Sequence, residues 1–188
     1  MKKPVLLILS LSLIISYSYL CGENYDEYIS RKIREDLSSP SMDNVMEGFN
    51  RLGSREVAAG ILVSLYTLGN ENVRESTKLS TFSIAGATAT CVLLKLIVNR
   101  DRPNGDNNRI NSSFPSGHAT GAFAFTYVMS KRHPKTTIPL YLAASTIAFS
   151  RVYLGRHYLS DAVAGSIIGI TAGWIVIKNE ETLLKVGF

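Results

Sequence analysis

Cysteine, histidine and charge are all scarce in this chain of 188 residues. The two cysteines, Cys21 and Cys91, stand apart, one just after an N-terminal apolar run and one inside a long apolar segment, so no disulfide framework is expected. Histidine occurs three times, at positions 118, 133 and 157, and no cysteine accompanies it, so a clustered metal site and a bound cofactor are not expected. Charged residues make up 19% of the chain against 46% hydrophobic, yet the balance is basic, with a net charge of +5. No run of Lys and Arg and no basic stripe with interleaved aromatics is present, which argues against nucleic acid as a partner. An anionic small substrate or a membrane surface suits that charge better. No segment alternates with period two, so strands are not expected, and no internal repeat or low-complexity tract appears. The length allows one sizeable core and not two comfortable domains.

What remains is a succession of apolar stretches. Lys2 and Lys3 precede an uncharged run from Pro4 to Leu20, which reads as an export signal or a first transmembrane helix, so residues 1–22 are set apart from a domain at 23–188. Residues 23–56 are polar, with Ile29, Ile33 and Leu37 at a helical spacing of four, and read as a solvated connector with one apolar stripe. Ser38-Ser39-Pro40-Ser41 ends that helix, and Ser41 is placed to cap a second short one. Five apolar stretches follow, at Val57–Leu68, Leu79–Val98, Ala119–Ser130, Thr136–Ser150 and Ala162–Ile177. The second reaches the roughly 20 residues that span a bilayer, and the others need their flanks. Their Gly, Ala, Ser and Thr content suits close helix packing. The expected fold is therefore all-α, a membrane-embedded bundle of about five to six helices with a short amphipathic segment ahead of it. If each stretch crosses once, loops 99–118 and 151–161 share one face. Lys131, Arg132 and Lys135 lie on the other with Lys2 and Lys3, so the first face points out of the cytoplasm.

Three segments on that first face carry polar residues that an apolar bundle does not need. In SRVYLGRHYLSD, residues 150–161, His157 and Asp161 are one helical turn apart, so the carboxylate can orient the imidazole. Arg151 is a candidate anion clamp, and Gly155 permits a bend between it and His157. In FPSGHATGAF, residues 114–123, Pro115 discourages helix before it, Ser116 is an expected N-cap, and Gly117 lets an anion approach the free amides. His118 then sits in the first turn, where it can donate a proton to a leaving group. In KLIVNRDRP, residues 95–103, Lys95 lies deep in an apolar run and Arg102 follows seven residues later, ahead of Pro103. Three cationic side chains, a helix start and two histidines make a kit for phosphoryl transfer. Asp101 and Asp106 read as solvated turn residues, and neither His133 nor Arg156 has an expected role.

Together the three segments resemble the type 2 phosphatidic acid phosphatase superfamily. Its pattern, K-x6-R-P, then P-S-G-H, then S-R-x5-H-x3-D, is met with every spacing kept by Lys95, Arg102-Pro103, Pro115 to His118, Ser150-Arg151, His157 and Asp161. The resemblance implies a metal-independent phosphatase in which His157 attacks phosphorus, Asp161 orients it and His118 protonates the leaving oxygen. Lys95, Arg102, Arg151, Ser116 and Gly117 would hold the phosphoryl oxygens. It further implies a multi-pass membrane enzyme acting on a lipid phosphomonoester or diphosphate, with its site outside the cytoplasm. An exported soluble acid phosphatase and a vanadium haloperoxidase share the constellation and stand as alternatives.

Overall fold

The computed structural model describes residues 25–106 and 108–185, and the expected N-terminal signal or anchor lies outside them. Among the described residues there are eight α-helices and no strand, which is more helices than the sequence suggests. They are α1 (Tyr25–Leu37), α2 (Pro40–Leu52), α3 (Arg55–Leu68), α4 (Glu71–Val98), α5 (Gly117–Arg132), α6 (Thr137–Tyr153), α7 (Leu159–Lys178) and α8 (Glu180–Leu184). The surplus comes from polar segments whose caps suffice to start a helix. Ser39, not Ser41, caps α2, because Pro40 takes the first helical position and the Ser39 hydroxyl accepts the Met42 amide at 3.3 Å. Asn70 caps α4 through the Val73 amide, so that helix begins eight residues before the apolar run at Leu79.

Helices α3 to α7 match the five apolar stretches, and α5 packs against α7 most closely. Gly165, Gly169 and Gly173 fall every fourth residue along α7 and face α5. A Cβ at Gly165 would stand 2.5 Å from the Ser116 carbonyl oxygen, one at Gly169 2.7 Å from the Ala124 amide, and one at Gly173 2.8 Å from Tyr127 Cβ. Small residues at this spacing let two backbones touch, a packing that gains van der Waals contact where no water is present to drive burial. Helix α4 joins the same core with fully buried serines, and Ser83 donates across to the Ala124 carbonyl at 3.2 Å.

The two ends of the bundle differ. At one, Arg132 holds Glu75 at 2.5 Å and Glu180 at 3.4 Å, tying the end of α5 to the starts of α4 and α8. His133 lies there too, with Nε2 3.0 Å from Ser76 Oγ. At the other end, α1 and α2 lie across the bundle and do not form a solvated connector. Tyr153, at the foot of α6, donates to Asp43 of α2 at 2.6 Å and accepts the Ser39 amide at 3.3 Å, while Ser30 of α1 accepts the Leu159 amide at 2.9 Å.

Large apolar side chains cover the outside of the bundle, among them Leu68, Leu93, Ile97, Ile138 and Leu142, each more than half exposed. Helices α4 and α7 are both long and apolar enough to cross a bilayer. The close α5–α7 contact predicts a sharp contrast between two glycines. Gly169→Val should destabilise the detergent-solubilised protein by about 1–3 kcal/mol, lowering its melting temperature. Gly86→Ala on α4, where a Cβ meets nothing within 4 Å, should leave it unchanged or raise it slightly. Equal melting temperatures for Gly169→Val and the parent chain would contradict the contact.

Candidate active site

Asp161 sits in the first turn of α7 with no exposed surface, so its carboxylate must find donors inside the protein. It finds three. Oδ2 accepts the Tyr158 amide at 2.8 Å and the Ser113 hydroxyl at 2.5 Å, and Oδ1 accepts Arg100 Nη1 at 2.9 Å. The Asp161 carbonyl also accepts the Ser116 amide at 3.0 Å, which seats the start of α5 beside the start of α7.

His157 is 2% exposed, with Nδ1 3.6 Å from Asp161 Oδ2. The sequence places the two on one helix, but His157 lies in the turn ahead of α7. The chain leaves α6 at Gly155, whose φ of +63° suits glycine, and the Arg156 and His157 amides both donate to the Arg151 carbonyl. Burial pushes the His157 imidazole down to about 4; Asp161 opposes this, while Arg151 and Arg102 add to it. The ring is therefore neutral at physiological pH.

Lys95 occupies the last turn of α4 and is buried. Its ammonium donates to the Ser112 carbonyl, and the Ser112 hydroxyl donates back to the Lys95 carbonyl at 3.1 Å. The helix ends three residues later, where Asn99 turns into the left-handed region, so Arg102 reaches the site from a loop and not from two turns further along a helix. Its Nε and Nη2 donate to the carbonyl and side chain of Asn111 at 2.9 and 2.7 Å, and Nη1 approaches the Arg156 carbonyl at 3.4 Å. Arg156 thus contributes its backbone while its side chain stays exposed.

Arg151, near the end of α6, is buried, and Nη1 donates to Asn50 of α2. Its Nε has no partner among the described residues, and neither has the buried Ser116 hydroxyl. Ser116 occupies the expected cap position of α5 but its hydroxyl makes no capping bond, while its amide donates to the Asp161 carbonyl. Gly117 is exposed, and His118 stands in the first turn of α5 beside Gly53. All eight residues expected from the sequence gather at one end of the bundle. Four others join them that the sequence does not single out: Ser113, Arg100, Asp26 and Asn50. Arg100 lies inside the first motif and Ser113 two residues before the second, whereas nothing local marks Asp26 or Asn50. Among the described residues no three carboxylate, histidine or cysteine side chains gather as a metal site would need.

The PAP2 superfamily model matches residues 78–184, the span that contains all three motifs. The chain belongs to the PAP2 superfamily. It is a PAP2-type phosphatase, and several of its relatives are named as lipid phosphatases. It is 31% identical over 147 residues to the decaprenylphosphoryl-5-phosphoribose phosphatase of Mycobacterium tuberculosis, covering 74% of this chain and 81% of that one. It is 25% identical to the undecaprenyl-diphosphatase BcrC of Bacillus subtilis, covering 65% of this chain and 67% of that one. The crystal structure of a transmembrane PAP2 type phosphatidylglycerolphosphate phosphatase from Bacillus subtilis shares the fold, with a TM-score of 0.78, 23% identity and 97% of this chain and 98% of that one covered.

The neutral, buried His157 predicts how this PAP2 protein responds to acid. Between pH 6.5 and about 4 the unfolded chain holds more protons on this imidazole than the folded one, so stability rises with pH across that window. Melting curves at pH 7 and pH 5 should show the protein less stable at pH 5, and His157→Gln should remove a share on the order of 1–2 kcal/mol. A pH dependence identical in the two proteins would contradict a neutral His157.

Proposed function

We propose that this PAP2 protein is a metal-independent membrane phosphatase that hydrolyses a lipid phosphomonoester or diphosphate through a phosphohistidine. One observation carries the reading. Beside His157 and His118, two buried donors, Arg151 Nε and Ser116 Oγ, lack acceptors among the described residues, and an anion with several oxygens suits them. Lys95, Arg102, Arg151, Ser116 and the Gly117 amide would hold the phosphoryl oxygens, which share the charge of the transition state. His157 would attack through Nε2, forming the N–P bond as the P–O bond to the leaving group breaks. Asp161, facing Nδ1, would offset the positive charge the ring gains. His118, at the start of α5, would give its proton to the departing oxygen, then take one from the water that cleaves the N–P bond and releases phosphate.

The apolar outer surface and the two spanning helices support a membrane-embedded bundle with the site at its end, within reach of lipid head groups. We place it in the cytoplasmic membrane with the site facing outward, because Lys131, Arg132 and Lys135 crowd the opposite end. Phosphatidate, phosphatidylglycerol phosphate, undecaprenyl diphosphate and lipid A phosphates all present the required group.

A phosphate-release panel over those lipids in detergent tests the reading. His157→Ala should abolish release, and His118→Ala should reduce it about 10²–10⁴-fold. Full activity in His157→Ala would falsify the mechanism. Vanadate should inhibit and EDTA should not; loss in EDTA that a divalent ion restores would contradict a metal-free reaction.

A further inference from the structure

Arg100 stands between Lys95 and Arg102 in sequence, yet its partners are carboxylates. Nη1 donates to Asp161 Oδ1 at 2.9 Å and to Ser160 Oγ at 2.8 Å, while Nη2 donates to Asp26 Oδ2 at 2.8 Å. The guanidinium also lies over the Tyr158 ring, 3.9 Å from its centroid. Asp26, on α1, accepts the Ser160 amide at 3.0 Å and the Ser160 hydroxyl at 2.5 Å. The side chains are enclosed, at 16% exposure for Arg100, 12% for Asp26 and 0% for Asp161. Burial draws the Arg100 pKa down, but Asp161 and Asp26 more than offset it and hold the group above its ordinary value.

The charges explain why two acids are needed. A cation bound to Asp161 alone would draw the carboxylate's field away from His157. With Asp26 on the far side of the guanidinium, the trio carries one net negative charge, and Asp161 is the member that faces the imidazole at 3.6 Å. That field matters most when the ring bonds to phosphorus and becomes cationic.

We propose that Asp26 and Arg100 are positioning residues for the phosphoryl transfer: α1, through Asp26, holds the guanidinium that fixes the Asp161 carboxylate opposite His157. Neither touches substrate. The inference rests on His157 as the nucleophile, and it extends the working site to a helix outside the residues that match the family model.

Orthovanadate and inorganic phosphate, titrated against the detergent-solubilised full chain, separate this role from a merely structural one. Vanadate readily accepts a fifth ligand and draws on the His157 nitrogen, whereas phosphate is held by the cationic clamps, Ser116 and the Gly117 amide without that bond. Arg100→Gln should weaken vanadate about tenfold and leave phosphate within twofold, with Arg100→Lys between it and the parent. Asp26→Asn keeps the shape and, through its one oxygen, the Ser160 amide contact, but offers Arg100 no second acceptor, and should weaken vanadate several-fold even if Arg100→Gln does not fold. In an Asp161→Asn background, Arg100→Gln should cause no further loss. Unchanged vanadate affinity in Asp26→Asn, or an equal further loss in the Asp161→Asn background, overturns the proposal alone. A parent chain that binds neither anion overturns the phosphatase reading and this inference with it.

Discussion

A fully buried carboxylate at the head of α7 is the constraint around which the site is organised. An unpaired charge at the position of Asp161 would cost several kcal/mol, so the fold must bring donors to it. They come from three places: the loop after α4 supplies Arg100, the loop before α5 supplies Ser113, and the backbone ahead of α7 supplies the Tyr158 amide. Satisfying one acid therefore fixes the relative positions of three helix ends. His157 is carried along because it precedes Tyr158 directly, and Ser116 because its amide caps the Asp161 carbonyl.

The close contact of α5 and α7 makes this convergence possible. With Gly165 under the Ser116 carbonyl, the starts of the two helices lie within hydrogen-bond reach, which a larger residue at 165 would prevent. Charge is also sorted along the bundle. Lys95, Arg100, Arg102 and Arg151 are gathered at one end, with Arg100 held between Asp26 and Asp161, while Arg132 is locked between Glu75 and Glu180 at the other.

Much of this could be read from the chain. Five apolar stretches became α3 to α7, and the eight motif residues came together, because helices follow from local periodicity and the motif spacings bring their residues to matching helix ends. What could not be read was of two kinds. Ser116 stands at the cap position the sequence suggests, but its hydroxyl makes no capping bond and its amide instead ties α5 to the Asp161 carbonyl. Residues 23–56 looked like a connector because their polar residues carry no local pattern, and only the docked helix reveals that Asp26 meets Ser160, 134 positions away in sequence, and that Asn50 meets Arg151.

The sequence by itself determined which side chains are able to donate, accept or stay positive, and that helices carry or adjoin them. These are properties of single side chains and of spacings within one or two turns, which the chain carries in every conformation. The tertiary structure decided the partnerships. Whether Arg100 serves an incoming anion or a buried acid depends on what stands opposite it, and what stands opposite is a carboxylate from α1 and one from α7, brought there by helix packing that no local pattern records.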